Sequence, residues 1–154
     1  MTSLRLSDLA RELGVAVHGT DAPITGLAID SRSVTTGDLF VAIRGDRADG
    51  NDFIDKALAH GAAAVVTSQA LSDAIPHLTV TDSGAACAAF GRLARESFTG
   101  VVAGITGSAG KTTAKAFLAA ICACTDRTVA TDGNQNNELG VPLTLAKLMS
   151  APQF

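Results

Sequence analysis

The stretch GITGSAGKTT, residues 104–113, has the composition of a turn that could hold a phosphate. To bind an anion with the main chain, several N–H groups must converge on it. That requires small or glycine residues, which here are Gly107, Ser108, Ala109 and Gly110. A helix opening directly afterwards would turn its positive N-terminus to the same anion. Lys111 would then reach the β/γ-phosphates, the hydroxyl of Thr112 would coordinate Mg²⁺, and Thr113 would complete the first turn. The strict pattern places glycine five positions before Gly110, where this chain has Ile105. A glycine-rich strand-to-helix turn without a ligand is the alternative. The apolar run VVAGIT ending on the turn, and G-K-T-T opening the helix, favour nucleotide phosphate binding. ATP or GTP is all that such a loop specifies, because kinases, switch GTPases, motors and ligases share it.

The elements that would position this loop follow from periodicity. VVAGIT, residues 101–106, reads as a strand, and residues 111–124 read as a helix with Ala114, Phe117, Leu118 and Ile121 on its buried stripe. A strand over 128–131, a loop over 132–138 and a helix over about 141–149 follow, implying a parallel pair with a right-handed crossover. Upstream, SDLARELG reads as a helix with Ser7 as N-cap and Gly14 as its stop. ITGLAIDSR and GDLFVAIRG read as strands, the second carrying the apolar run Leu39 to Ile43. NDFIDKALAHG reads as a helix capped by Asn51 and stopped by Gly61, followed by short strands in AAAVVTS and HLTVTD. Polar, glycine-punctuated loops fall around 30–37 and 44–52. Ala86, Ala89, Phe90, Leu93 and Ala94 then mark an amphipathic helix over residues 83–97 that leads into the second unit.

The chain has 154 residues, of which 47% are hydrophobic and 18% charged, so a core can be buried and disorder is not expected. No apolar run is long enough to span a bilayer, and the start MTSLRLSDLARELG has charges where a signal peptide needs an apolar stretch. A cytoplasmic protein without membrane insertion is expected. The formal charge of −3 and the absence of Trp and Tyr argue against a nucleic-acid partner. Cys87, Cys122 and Cys124 are an odd count without C-x-x-C spacing and read as small buried residues. His18, His60 and His77 lack a second ligand at i+3 or i+4, although His60, just before Gly61, suits the negative end of a helix.

Three stretches resemble the Mur ligases, ATP-dependent enzymes that build the peptidoglycan stem peptide. IDSRSVTTGDLFVAIRGDRADGNDFIDKALAHGAAAVV, residues 29–66, is similar to their N-terminal domain. GITGSAGKTT resembles the family's variant phosphate loop, which departs from the strict pattern as this one does. TDGNQNNELGVPLTL, residues 131–145, resembles the branch that adds D-alanyl-D-alanine. The resemblance implies an α/β fold: a small N-terminal UDP-substrate domain over 1–82, a connecting helix over 83–98, and from 99 to 154 the first part of a P-loop, parallel-sheet ATPase domain.

It also implies ATP and Mg²⁺ as cofactors, and a UDP-N-acetylmuramoyl tripeptide and D-alanyl-D-alanine as partners. The tripeptide carboxylate would be phosphorylated and the acyl phosphate attacked by the dipeptide amine. Lys111 would be the catalytic contact to the transferred phosphoryl group. Asp30, Ser31 and Arg32, with Gly45, Asp46, Arg47 and Ala48, would hold the uridine diphosphate. A hydroxyl and loop amides suit a uracil edge, and a guanidinium suits a pyrophosphate. Asp46 would orient Arg47 or face the ribose; Arg32 could instead be a solvated loop charge. Asn136 and Asn137 would touch substrate, the alternative for Asn137 being a cap before Pro142. A diaminopimelate- or lysine-adding ligase, or a non-catalytic UDP-sugar-binding module, remain alternative readings. The family has three domains, so the sequence is expected to be a fragment or a truncated reading frame, inactive alone, of an enzyme monomeric at full length. Two parallel strands would leave an edge and an apolar face uncovered.

Overall fold

The computed structural model describes residues 4–45, 48–125, 127–133 and 137–149. Among them, a five-stranded sheet runs in the order β2 (Val17–His18), β7 (His77–Thr79), β6 (Ala64–Thr67), β5 (Asp38–Val41), β4 (Gly26–Ala28). The last four pair in parallel and β2 pairs antiparallel to β7, so the fold is mixed α/β with a parallel sheet. A separate antiparallel pair joins β1 (Leu4–Arg5) to β3 (Pro23–Ile24).

The two-residue strand period sorts the core. Leu39 and Val41 share one face with Ala64, Val66 and Leu78, packed with Leu9 of α1 (Leu6–Leu13) and Phe90 of α3 (Ser83–Ser97). Phe40, Ala42 and Val65 point to the other face, under Ile54 and Ala57 of α2 (Ile54–Ala59). A strand covered on both faces reads as a continuous apolar run, and β5 is that strand.

Helix α3 keeps its stripe, whereas two earlier helices start elsewhere than read. In α3, Ala86, Ala89, Phe90 and Ala94 are buried as the spacing requires, and Asp82 caps it by accepting from the Ala85 N–H at 3.0 Å. Gly14, at φ 67°, ends α1, but Ser7 is not its cap. The helix begins two residues earlier than read, with Arg5 at the N-cap and its N–H donating to Asp8. Ser7 donates through its N–H and its Oγ to Asp21, at 2.9 and 3.0 Å. Asn51 is likewise not a cap. Asp49 caps a 3₁₀ turn over Gly50–Phe53 by accepting from the Asn51 N–H, while Asn51 is buried and accepts from the Thr67 hydroxyl at 2.7 Å.

The second unit departs from the reading in its strands. Residues 101–106 and 128–131 form no strand, and α4 (Lys111–Cys122) buries none of its residues. Phe117 and Ile121 are each 67% exposed where a buried stripe was expected, and Val101 is 95% exposed. The physical reason is that a parallel strand is held by neighbours on its edges, and here neither segment has one. The expected crossover pair is therefore absent among the described residues. The last helix, α5 (Gly140–Ala146), packs instead against α3. At their crossing Gly91 lies so close to Pro142 that a Cβ on it would stand 2.9 Å from the Pro142 Cα. Only Cys87 is a buried cysteine; Cys124 is exposed and Cys122 intermediate, following the exposure of α4 and its end.

Candidate functional site

The phosphate-loop candidate is built from backbone. Gly107 and Gly110 have φ of 149° and 78°, values that side-chain-bearing residues rarely adopt. Gly110 is the N-cap of α4, and its carbonyl accepts from the Ala114 N–H at 2.8 Å. The N–H groups of Lys111, Thr112 and Thr113 precede the first intrahelical donor and so belong to the open end of the helix. Lys111 folds back, its Nζ donating to the Gly107 carbonyl, which places the ammonium over the loop. Ser108, Ala109, Thr112 and Thr113 are exposed. The loop and the helix end therefore fit a polyphosphate. For Mg²⁺ the protein offers the Thr112 hydroxyl, and no group of three His, Cys, Asp or Glu residues suited to a metal occurs among the described residues. A cation here would take its remaining ligands from phosphate oxygens and water, as Mg²⁺ commonly does.

The D-S-R turn is a second, separately ordered feature. Asp30 accepts from the Arg32 N–H at 2.9 Å and from the guanidinium through Nε at 2.9 Å and Nη2 at 2.6 Å. The Arg32 side-chain bonds, then its N–H, hold the Asp30 carboxyl down at about 2. Ser31 is buried, while Arg32 is exposed with Nη1 outside the ion pair. Gly45 and Ala48 close a tight loop, the Gly45 N–H donating to the Ala48 carbonyl at 3.0 Å. Asp46 and Arg47 lie outside the described residues, as does Asn136. Asn137 closes the turn before α5, its Oδ1 accepting from the Gly140 N–H at 2.8 Å, while Leu139 stands at the N-cap. Asn137 also borders a cleft of about 670 Å³ between α3 and α5, with Asp82, Arg92 and Pro142.

Three side chains near these features escaped sequence reasoning as contacts. His60 bonds the Ser31 carbonyl at 2.6 Å. Lys115, one turn beyond Lys111, donates to the carbonyls of Thr131 at 2.5 Å and Gly133 at 3.0 Å, while Lys147 pairs with Asp132. Residues 131–133 are thus held by Lys115 of α4 and by Lys147, at the C-cap of α5, rather than by a sheet. The i+4 spacing of Lys115 from Lys111 was visible; its carbonyl partners, 16 and 18 residues away, were not.

Comparison with known proteins gives the family. The Mur ligase family, catalytic domain, matches residues 23–94, and the Mur ligase middle domain matches residues 105–153. The UDP-N-acetylmuramoyl-tripeptide–D-alanyl-D-alanine ligase of Escherichia coli is 41% identical over 151 residues, covering 96% of this chain and 33% of that protein. The UDP-N-acetylmuramoyl-L-alanyl-D-glutamate–2,6-diaminopimelate ligase of Streptomyces coelicolor is 41% identical over 118 residues, 70% of this chain and 23% of that protein. Among solved structures, the D-alanyl-D-alanyl ligase of Acinetobacter baumannii matches with a TM-score of 0.78 at 30% identity, over 95% of this chain and 34% of its own. The MurF ligase of Thermotoga maritima in complex with ADP matches with a TM-score of 0.66 at 37% identity, over 79% of this chain and 28% of its own. The chain spans about one third of the length of the first of these relatives. No helix among the described residues is long and apolar enough to cross a membrane. With a parallel α/β sheet, a glycine-rich turn on a helix N-terminus and both family models in order along it, the chain belongs to the Mur ligase family.

Proposed function

We propose that this chain supplies the UDP-substrate region and the phosphate loop of an ATP-dependent ligase that joins D-alanyl-D-alanine to a UDP-N-acetylmuramoyl tripeptide. The division proposed is 1–82 for the UDP end, 83–98 as the linking helix and 99–154 for the nucleotide. The observation that carries the reading is the turn Gly107–Gly110 with Lys111 folded across it at the mouth of α4. In the reaction, ATP provides the phosphoryl group that activates the tripeptide carboxylate, and the dipeptide amine then displaces phosphate. Lys111 and the first N–H groups of α4 would neutralise charge on the transferred group, and Thr112 would hold Mg²⁺ against it. Asp30, Ser31 and Arg32, with Gly45, Asp46, Arg47 and Ala48, would seat the uridine diphosphate. Arg32 can offer Nη1 to a phosphate without leaving Asp30. Asn136 and Asn137 would touch the UDP-muramoyl peptide.

The test is a chimera in which this chain replaces the matching third of the Escherichia coli relative. Phosphate release should require both the UDP-tripeptide and D-alanyl-D-alanine, and Lys111→Ala should lower kcat by about a hundredfold or more. Near-normal turnover of that variant would refute the assignment of Lys111. The unfused chain should bind ADP without releasing phosphate from ATP, because aligning D-alanyl-D-alanine is assigned to the part of the relatives' length that this chain does not span. Failure to bind ADP at millimolar concentration would refute the nucleotide reading itself.

A further inference from the structure

The loop that carries Asp30, Ser31 and Arg32 is moulded on the end of a helix, and one exposed side chain makes the decisive bond. Helix α2 ends at Ala59 with His60 as C-cap and Gly61 beyond it at φ 99°. The Gly61 carbonyl accepts from the Gly37 N–H at 3.0 Å, and a Cβ on Gly61 would stand 2.9 Å from the Thr36 Oγ1. The far end of loop 30–37 is thus seated directly on the helix terminus. Its near end is seated by His60, whose Nδ1 lies 2.6 Å from the Ser31 carbonyl oxygen. A carbonyl oxygen can only accept, so Nδ1 carries the proton in this contact.

Within the turn the remaining bonds are local. Asp30 takes the Arg32 N–H and guanidinium, and its carbonyl takes the Ser33 N–H at 3.0 Å and the Ser33 Oγ at 2.9 Å. These bonds shape the turn but do not tie it to the rest of the molecule. The His60 bond crosses 29 residues of sequence. It fixes the Ser31–Arg32 peptide plane, and with it the direction in which the Arg32 N–H and side chain leave the turn. Lys56, one helical turn before His60, adds a positive charge that acts on Asp30.

We propose that His60 is a positioning residue for the nucleoside-diphosphate site: by donating from Nδ1 to the Ser31 carbonyl it holds the Asp30–Arg32 turn in its ligand-binding shape. It touches no ligand itself. The proposal rests on the reading of that turn as the UDP site, and the test separates the two.

The 154-residue chain is titrated with UDP by ¹H–¹⁵N NMR as wild type, His60→Ala and His60→Asn. Loss of one hydrogen bond of this kind should raise the Kd for UDP about fivefold in His60→Ala. His60→Asn, whose side-chain amide can place an N–H near the imidazole Nδ1 position, should return it to within about twofold of wild type. The melting temperature should fall by no more than about 4–8 °C in His60→Ala, the effect of one lost hydrogen bond, because His60 is exposed and fills no core volume. Equal Kd values for wild type and His60→Ala would overturn the proposal while leaving the UDP site in place. A wild-type chain that fails to bind UDP would overturn the UDP reading, and with it any ligand role for His60. Whether the turn is clamped as described is then decided without ligand by the long-range ¹H–¹⁵N pattern of the His60 ring. A proton on Nδ1 is expected, and a neutral ring carrying its proton on Nε2 would overturn the contact.

Discussion

Gly110→Ala isolates the conformational requirement of the phosphate turn from every packing effect. Gly110 sits at φ 78°, and a Cβ built there meets nothing within 4 Å. The cost of alanine is therefore the intrinsic cost of left-handed backbone for an L-residue, about 1–2 kcal/mol. That strain has no tertiary packing to resist it, because α4 has no buried residue. It should be relieved by fraying the first turn of α4, where the Ala114 N–H donates to the Gly110 carbonyl. A free-energy change of this size corresponds to a factor of about 5–30, so the Ala114 amide should exchange that much faster with solvent. Amides of Phe40, Val41 and Val65 in the sheet should be unchanged, and so should the urea midpoint of the sheet unit. Gly110→Asn should fall between glycine and alanine, since asparagine tolerates the left-handed region better than alanine does. If Ala114 exchanges at the wild-type rate in Gly110→Ala, the turn does not depend on the glycine conformation and the argument fails. A fall in the urea midpoint of the sheet unit would refute the independence of α4 instead.

Three further outcomes follow from geometry already described. The Asp30 carboxyl should titrate near 2 by NMR, and Arg32→Gln should move it back toward the ordinary 3.8. Because this pKa is lowered on folding, the Asp30–Arg32 pair is intact above pH 3.8 and is lost as pH falls through about 2; an unchanged titration in Arg32→Gln would remove Arg32 as the cause. Burial, and then the charge of Asp82, push the Cys87 thiol up to about 12, so a thiol reagent at pH 8 should label exposed Cys124 rapidly and Cys87 only on unfolding. Phe90→Ala, at a side chain 1% exposed between α3 and the sheet, should cost about 3–5 kcal/mol in urea denaturation, and Phe117→Ala on the open face of α4 less than about 0.5 kcal/mol.

What the sequence made legible was what depends on near neighbours. The run Leu39 to Ile43 gave β5 because a strand buried on both faces needs no alternation, and the α3 stripe gave its buried face through the 3.6-residue period. Gly14 and Gly61 announced helix stops, and both have positive φ. The start of α1 was misread because the partner of Ser7 is Asp21, 14 residues away, which no capping pattern encodes. The strands expected over 101–106 and 128–131 failed for a related reason: an apolar run states that a segment wants neighbours, and among the described residues none adjoin it. At the turn before α4, the need for glycine was legible, and Gly107 and Gly110 both have positive φ. The pairing of Asp30 with Arg32 was not legible, since both were read as facing the ligand rather than each other. The bond of Asn137 to the Gly140 N–H fits the turn before Pro142 that its spacing offered, and leaves its reading as a substrate contact open to test.

The packing of α5 onto α3 has a consequence in the statistics of the chain. These helices are separated by about forty residues, the stretch that contains the phosphate turn and α4, so their contact at Gly91 and Pro142 closes a large ring. Closing a flexible ring of that size costs roughly 3 kcal/mol of chain entropy beyond a constant, and doubling its length would add only about 0.6 kcal/mol. The ring is therefore indifferent to its own length but sensitive to its clasp. While the clasp holds, the turn before α4 is anchored on both sides. Once it opens, the turn loses its anchor on the α5 side.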